Sequence, residues 1–261
     1  MRNFAFAVAY WALSIFYGLG AAFGALWPGR NVTAWIIRRY VRRMVQAMRF
    51  FAGIKLDVRG RERLPQGAFI VASKHQSWGD GFATYDQFDD LAFVTGDHLE
   101  KLPLLGTVLK KLGAIVVNSC GGQEARDALK HRAADAHKEG RKILIFPEGA
   151  LANIGEKYRY RSGVWHMYRD FDLPVVPLAT NLGLFWPRFT AKKPGTATLE
   201  FLDPIPTGLE KDEFLARLEG VVEAKTAELV AAATGRPVTP AVLVPSPEEA
   251  AKPARTAHSP K

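Results

Sequence analysis

Cysteine is nearly absent from this chain, which has one such residue, Cys120, among 261. A single cysteine cannot form an intrachain disulfide or a cysteine-based metal site, so neither is available to stabilise the fold. Such scarcity is typical of proteins from reducing compartments. The chain also lacks a G-x-S-x-G sequence. This absence argues against a serine hydrolase that carries its nucleophile on a strand-to-helix elbow.

Charge is absent from residues 4–27. A helix of that length is long enough to cross the roughly 30 Å of hydrocarbon in a bilayer. A cleaved signal peptide is a poorer interpretation, because Arg2 is the only charged residue before the stretch and the apolar part of a signal peptide spans only about 7–15 residues. Gly18, Gly20 and Gly24 leave open a bent segment that enters one leaflet without crossing it.

Positive charge is abundant, with a formal net charge of +9 and a pI near 9.7. This balance indicates an acidic partner: a phosphate-bearing substrate, an anionic membrane or nucleic acid. Nucleic acid is the poorest of the three, because the arginines concentrate beside the apolar stretch and no aromatic-interleaved basic surface or known reading motif occurs. We therefore predict an anionic membrane as a partner and no nucleic acid.

Five arginines follow the apolar stretch closely, against one before it: Arg30, Arg38, Arg39, Arg42 and Arg43. Under the positive-inside rule, this asymmetry predicts that the rest of the chain lies on the cytoplasmic face of the membrane. Apolar residues between positions 31 and 52 recur at helical spacing, with the arginines on the other side. This pattern predicts an amphipathic helix lying on anionic headgroups. A core helix with a solvated basic face is the alternative.

From residue 54 onward, short apolar runs alternate with helical patterns. Strands are predicted at 54–58, 69–72, 91–94, 114–117, 142–146, 174–179 and 196–201, and helices at 81–88, 102–112, 123–138, 164–169 and 211–232. This alternation predicts an α/β fold with a mixed, largely parallel sheet and helices on both of its faces, preceded by an N-terminal membrane helix or helical hairpin.

The pattern divides the chain into three regions. Residues 1–52 are predicted to form membrane-associated helices, and residues 53–232 to form the α/β domain that carries the chemistry. Residues 233–261 are rich in proline, alanine and charge. That composition predicts a disordered tail, with local docking of residues 241–244 left open.

The sequence KHQSWGD, residues 74–80, follows a strand so apolar that both of its faces are predicted to be covered. Loops that leave such strands carry the chemistry in many α/β folds. A neutral His75 can take a proton from a hydroxyl near pH 7, and Asp80 can fix its tautomer if it lies in the helical turn that follows. For His75 considered alone, the alternative is a loop histidine bonded to a backbone carbonyl.

A second motif, FPEG at residues 146–149, ends another apolar strand. It places the carboxylate of Glu148 and the backbone near Gly149 at the sheet edge where His75 is predicted. Pro-Glu-Gly by itself is an ordinary turn. Together with the His75 motif and the apolar N-terminus, it is a far more specific signal than any of the three features alone.

In these motifs the sequence resembles the glycerolipid acyltransferase family, whose best-known members are the 1-acylglycerol-3-phosphate (lysophosphatidic acid) acyltransferases. The resemblance covers roughly residues 54–232. The matching sequences are KHQSWGD, FPEG, LPVVPLAT at 173–180 and KLPLLGTVLKKLGAIVV at 101–117.

The resemblance implies transfer of an acyl group from an acyl-CoA or acyl-carrier-protein thioester to a lysolipid hydroxyl, without a covalent acyl-enzyme. His75 would be the general base and Asp80 would orient it. Glu148 would help to bind the acceptor, and amides around Gly149 would steady bound oxygens. The thioester brings its own leaving group, so no metal and no cofactor beyond this co-substrate is predicted.

The sequence departs from the family at three places. Gly96 or Asp97, depending on the alignment, stands where the family commonly has a basic residue shortly before the Lys-x-Pro stretch. Ala150 and Leu151 stand where the family usually has threonine followed by a polar residue such as arginine. Asn118 and Ser119 stand where it usually has an Asp-Arg pair. Without that arginine, bidentate recognition of a phosphate is lost.

Other residues are therefore predicted to bind the acceptor: Lys101, Lys157, Arg159 and Arg161, with Ser119 as a neutral donor. For these basic residues, the alternative is a solvated loop.

These features lead to three hypotheses. The first is a membrane-bound enzyme that acylates 1-acylglycerol-3-phosphate to phosphatidic acid. The second is the same chemistry on another lysolipid, such as a lyso-ornithine-type acceptor, because the usual arginine is missing. The third is a membrane-associated binding protein that keeps the fold but has lost the chemistry, against which the intact His75, Asp80 and Glu148 argue.

Overall fold

The structure is a computed structural model, and it describes residues 1–117 and 123–250. The α-helices in the described residues are α1 Arg2–Gly24, α2 Asn31–Ala47, α3 Asp80–Tyr85, α4 Asp97–Glu100, α5 Pro103–Leu112, α6 Gln123–Lys138, α7 Gly163–Phe171, α8 Lys211–Thr234 and α9 Pro247–Ala250. The strands are β1 Ile54–Arg59, β2 Ile70–Ser73, β3 Leu91–Gly96, β4 Ile115–Val117, β5 Lys142–Ile145, β6 Glu156–Lys157, β7 Val175–Thr180, β8 Gly195–Phe201 and β9 Val242–Leu243.

Seven of the described strands form one sheet in the order β1-β8-β7-β2-β5-β3-β4. Strands β7 and β8 pair antiparallel, and the other pairs in this sheet are parallel. The predicted mixed, largely parallel sheet is confirmed. The predicted strand positions are correct, with ends that differ by one or two residues.

The central strands are buried because they are apolar on both faces. All four residues of β2 and all six of β7 are buried. Along the first of these segments, Phe69 and Val71 pack into one core with α2 and α3, while Ile70 and Ala72 pack into a second core with α6, α7 and α8. The two-residue alternation of side chains in a strand therefore places one core on each face of the sheet.

The N-terminus forms a helical hairpin that lies along the domain. Phe6 near the start of α1 packs edge-on against Trp186, with ring centroids 5.1 Å apart. Ala21 near the other end of α1 belongs to a buried cluster with Val108 and Leu112 of α5. These two positions on α1 are about 22 Å apart at the usual rise per residue. The helix therefore contacts the domain along most of its length.

Helix α1 nevertheless leaves one apolar side uncovered. Within the residues that the structure describes, it is the one helix long and apolar enough to cross a membrane. The large side chains exposed on it are Phe4, Val8, Trp11, Ile15, Phe16, Leu19 and Phe23. Such a row on a helix that is otherwise packed against protein is typical of a surface that meets lipid.

Helix α2 differs from the amphipathic headgroup helix that the sequence suggested. Val41 and Met44 on its apolar side are buried in the protein core. Two of the arginines near it pair with acids of the domain, Arg30 with Asp90 and Arg38 with Asp89. The helix is therefore the alternative, a core helix with a basic outer face, because α1 and the sheet cover the side that would otherwise face lipid.

The tail also differs from the sequence prediction in its described part. Helix α8 continues to Thr234, and β9 pairs in parallel with β6, matching Val242 with Glu156. The local docking of residues 241–244, left open by the sequence, is therefore present. Residues 251–261 lie outside the described residues.

Candidate active site

Two adjacent parallel strands bring the predicted motifs together. Strands β2 and β5 pair in register, with Ala72 opposite Ile145. The loop after β2 carries His75, and the loop after β5 carries Glu148. Parallel strands end at the same edge of a sheet, and α/β folds bind their ligands at that edge. The two motifs therefore meet where the sequence predicted.

His75 and Asp80 form a hydrogen-bonded pair. The imidazole Nδ1 lies 3.1 Å from Asp80 Oδ2, and the side chain of Asp80 is 1% exposed against 18% for His75. Asp80 begins α3, as the five-residue spacing required. The same Asp80 oxygen accepts hydrogen bonds from the backbone N–H groups of Gln76 and Ser77, each at 2.7 Å.

The imidazole ring is held on a second side by Phe146. The two rings are stacked with centroids 3.9 Å apart and an interplanar angle of 20°. The His75 carbonyl accepts a hydrogen bond from the Ala152 N–H at 2.9 Å. Phe146 belongs to the FPEG motif, so the second motif supports the ring as well as the backbone of the first.

This arrangement fixes which ring nitrogen can act. An ionised Asp80 can only accept a hydrogen bond, so Nδ1 must carry the proton and Nε2 must present its lone pair. A neutral imidazole held in that tautomer is suited to take a proton from a hydroxyl. The carboxylate would then stabilise the imidazolium that forms.

Glu148, which the family resemblance implied would help to bind the acceptor, is held by groups of the protein. It is fully buried. Its Oε1 accepts hydrogen bonds from Lys74 Nζ at 2.8 Å and the Tyr158 N–H at 3.0 Å, and its Oε2 accepts the His75 N–H at 3.3 Å. Burial raises the pKa of Glu148, an effect that the Lys74 ammonium opposes. With protein donors on both oxygens, Glu148 supports the loop of His75, and its contact with an acceptor stays a prediction.

Gly149 is needed for its backbone conformation. Its φ is +72°, and a Cβ there would lie 2.6 Å from Arg161 Nε. The Gly149 N–H donates to the Phe146 carbonyl at 3.0 Å. That amide is therefore occupied by the turn, and contact of the other amides around Gly149 with substrate oxygens stays a prediction.

Arg159 and Arg161 line one pocket of about 590 Å³, together with Glu148. Arg161 also contacts the tail, with its Nη2 3.0 Å from Glu248 Oε2 of α9. His75 is not among the residues that line this pocket. Glu148 connects the two, because it lines the pocket and also accepts the His75 N–H. The structure thus brings these two predicted arginines together beside the FPEG turn.

The other predicted binding residues lie apart from this pocket. Lys101 pairs with Asp97 at 2.8 Å, and its side chain is largely exposed. Lys157 pairs with Glu219 of α8 at 2.6 Å. Ser119 lies outside the described residues, as does Asn118. In the described residues, no group of three or more His, Cys, Asp or Glu side chains is placed to hold a metal ion.

Sequence reasoning missed three residues beside the site, which are Lys74, Tyr160 and Glu223. All three are buried, and Lys74 Nζ lies 2.9 Å from Glu223 Oε1. Lys74 carried a signal, because a charged residue directly after a fully apolar strand needs a buried partner. Glu223 carried none, since α8 holds several acidic residues and its pattern does not single one out.

Comparisons with known proteins give the family model and the relatives that this chain resembles. A family model described as "Acyltransferase" matches residues 55–181. The chain is 29% identical over 205 residues to a 1-acyl-sn-glycerol-3-phosphate acyltransferase from Pseudomonas aeruginosa, covering 78% of this chain and 80% of the relative. It is 26% identical over 219 residues to a lyso-ornithine lipid O-acyltransferase from the same species, covering 75% and 81%.

A solved structure supports the fold independently. The crystal structure of a 1-acyl-sn-glycerophosphate acyltransferase from Thermotoga maritima superposes with a TM-score of 0.70 at 20% identity, covering 88% of this chain and 98% of that one. The family match contains the His75, Asp80 and Glu148 positions. Residues 55–181 therefore match the Acyltransferase family model, and the prediction of an O-acyltransferase is confirmed.

Proposed function

We propose that this acyltransferase is membrane-bound and moves an acyl chain from acyl-CoA or acyl-carrier protein to the free hydroxyl of 1-acylglycerol-3-phosphate, giving phosphatidic acid. The observation that carries the proposal is the His75–Asp80 pair, with its 3.1 Å contact at the edge of the sheet. The relative from Pseudomonas aeruginosa named for this acceptor supports the choice of lysolipid.

In the proposed reaction, His75 Nε2 removes the proton from the acceptor hydroxyl as its oxygen attacks the thioester carbonyl carbon. The tetrahedral intermediate collapses, the C–S bond breaks and the new C–O bond remains. The departing thiolate takes the proton from the His75 imidazolium, which restores the neutral base. Asp80 keeps the ring in one tautomer throughout, a role worth several kcal/mol in comparable base-assisted reactions.

Arg161 is the proposed ligand of the acceptor phosphate, with Arg159 beside it. Its side chain lies against Gly149, in the same motif as the Phe146 ring that stacks on His75. A guanidinium suits a phosphate because it offers a planar pair of donors. Binding of the phosphate would require Arg161 to exchange its contact with Glu248.

The membrane is the proposed source of the acceptor, and the exposed apolar side of α1 is the proposed contact with it. Support comes from the packing of α1 along the domain, which leaves its outer side to enter one leaflet. The net charge of +9 favours an anionic leaflet, as do the exposed arginines of α2, which are Arg39, Arg42 and Arg43. We propose the cytoplasmic face, where anionic lipids provide a negative surface potential.

A lyso-ornithine-type acceptor is the second candidate. The similarity to the lyso-ornithine lipid O-acyltransferase favours it, as does the serine at position 119 where the resembled family usually has arginine. A zwitterionic headgroup does not need the bidentate phosphate contact that an arginine provides.

Acceptor profiling tests the proposal. Thiol release from mixed-length acyl-CoA would be measured with the detergent-purified protein on lysophosphatidic acid, on monoacylglycerol as the same acceptor without phosphate, and on lyso-ornithine lipid. We expect release that requires the phosphate-bearing acceptor. Equal rates with monoacylglycerol, or release with lyso-ornithine lipid alone, would contradict the proposed acceptor. Replacing acyl-CoA by acylated carrier protein then identifies the donor.

A further inference from the structure

Lys74 stands directly before His75 and is a fully buried charged side chain. An ammonium in the interior is costly unless it is paired and hydrogen-bonded. Its neighbours in sequence are the end of an apolar strand and the catalytic loop, so its position links the two. The groups that contact the Lys74 ammonium show whether it stabilises only the fold or also supports the catalytic loop.

The ammonium of Lys74 uses all three of its donors. It contacts Glu148 Oε1 at 2.8 Å, Glu223 Oε1 at 2.9 Å and the Glu156 carbonyl at 3.2 Å. A lysine ammonium has three N–H groups and no acceptor, so this set of partners satisfies it. The partners lie after β5, on β6 and on α8, so the ammonium joins the FPEG turn and the nearby β6 to a helix that is distant in sequence.

The same contacts lead to the backbone of His75. Glu148 accepts the His75 N–H with its second oxygen, at 3.3 Å. On the other side, Tyr160 donates its hydroxyl to Glu223 Oε1 at 2.9 Å. A continuous chain of buried contacts therefore runs from α8 through Glu223, Lys74 and Glu148 to the residue that carries the general base.

We propose that Lys74 and Glu223 are positioning residues for His75. The buried ammonium ties the Glu148 carboxylate to α8, and Glu148 holds the backbone of the catalytic loop. As a statement about turnover, this inference rests on the proposed function. A base misplaced by about 1 Å can cost on the order of a hundredfold in rate, so a device that fixes the loop acts on the chemical step.

Three variants separate positioning from folding. Lys74→Met keeps the length of the side chain and removes every donor. Glu223→Leu removes the link to α8 and leaves the Lys74–Glu148 pair intact, so it provides the test if Lys74→Met fails to fold. Glu223→Gln keeps an oxygen that can accept from both Lys74 and Tyr160, and it is the conservative variant.

Lys225→Met is the matched control. Lys225 lies on the same helix and pairs with Glu228 at 2.6 Å and with Glu200 at 3.9 Å. None of these groups contacts the loop of His75 among the described residues. Its loss removes a lysine–glutamate link of α8 without touching the chain of contacts that leads to the base.

Turnover and acceptor KM would be measured for each folded protein on its best acceptor, with melting temperature as the folding check. We expect Lys74→Met to lower kcat by roughly 10- to 100-fold with acceptor KM within about twofold of wild type. Glu223→Leu should lower kcat by a smaller factor, and Glu223→Gln should restore most of it. Lys225→Met should leave kcat unchanged.

Hydrogen exchange of the peptide covering residues 73–80 provides a second measurement that needs no turnover. We expect faster exchange in Lys74→Met and Glu223→Leu than in wild type and Lys225→Met. Unchanged kcat and unchanged exchange in both variants would overturn the positioning role, as would an equal loss of kcat in the control. A wild-type protein inactive on every lysolipid would instead contradict the proposed function, and exchange would still decide the inference.

Discussion

Two carboxylates with different surroundings, Asp80 and Glu148, hold His75 in place. Asp80 accepts two backbone N–H groups and the ring of His75, so it is held as an acceptor. Glu148 is buried against Lys74, and that burial raises its pKa. One carboxylate therefore orients the base, while the other holds the loop.

Asp80→Asn is expected to keep the fold and lose most of the activity. The amide can still accept a hydrogen bond, but it no longer supplies the negative charge that fixes the tautomer and stabilises the imidazolium. We expect kcat to fall by at least about 100-fold with little change in acceptor KM. Steady-state kinetics with circular dichroism as the folding check measures this, and a kcat near the wild-type value would contradict the assigned role.

Glu148 gives a prediction about stability and pH. Because its pKa is raised in the folded protein, the native state keeps a proton that the unfolded chain releases near pH 4.3, its usual range. Its stabilising contribution is thus present below the unfolded pKa and is lost as pH rises through the raised native pKa. We expect the free energy of unfolding of wild type to fall relative to Glu148→Gln between about pH 4 and pH 7. Urea unfolding across this range measures it, and a constant difference would contradict the prediction.

The C-terminal segment lies closer to the site than the sequence predicted. Helix α8 reaches the catalytic loop through Glu223, and the two-residue pairing of β6 with β9 leads the chain to α9. There Glu248 contacts Arg161, the proposed phosphate ligand. A carboxylate and a phosphate oxygen are alternative partners for the same guanidinium, so α9 would compete with the acceptor.

Glu248→Gln is expected to lower the acceptor KM. The pair is partly exposed, with side chains 40% and 46% accessible, so its contribution is modest and the change should be about two- to fivefold. Arg161→Ala should raise KM by a larger factor, and Glu228→Gln, an exposed glutamate on α8, is the control. Acceptor titrations decide: a KM unchanged in both Glu248→Gln and Arg161→Ala would exclude this pocket as the phosphate site.

The elements that the sequence predicted correctly are those set by local pattern. The strand positions follow from apolar runs, and the His75–Asp80 pair follows from a five-residue spacing across one turn. The contacts that it missed join distant parts of the chain, such as Lys74 with Glu223 and Arg161 with Glu248. Glu148 was placed at the right edge of the sheet, but its partners Lys74 and the backbone of Tyr158 were not predicted, because those contacts join separate parts of the chain.

The whole molecule combines the buried contacts of Lys74, which hold the catalytic loop, with an exposed apolar side of α1. Helix α1 is packed against the domain at Phe6 and Ala21, yet its outer side exposes a row of large apolar residues. The proposed acceptor has an acyl chain that would reside in lipid. An enzyme that lies on one leaflet can receive that acceptor without extracting it fully into water.

Ile15→Asp combined with Leu19→Asp tests the membrane face. Both side chains are more than half exposed on α1, at 59% and 55%, so charge there should leave the fold intact and oppose insertion. We expect the affinity for vesicles containing anionic lipid to fall at least about tenfold in a cosedimentation assay. Val238→Asp, which changes an apolar residue 57% exposed in the tail, is the control. Equal binding by the double variant and the control would contradict a membrane role for α1.

His75 is proposed to act as the base in acyl transfer to a lysolipid. The most direct measurement is the formation of phosphatidic acid from labelled acyl-CoA and lysophosphatidic acid by wild type, His75→Ala and His131→Ala, where His131 is an exposed histidine on α6. We predict that His75→Ala loses at least about 100-fold in rate while remaining folded, and that His131→Ala keeps the wild-type rate. Product formed at the wild-type rate by folded His75→Ala would contradict the account.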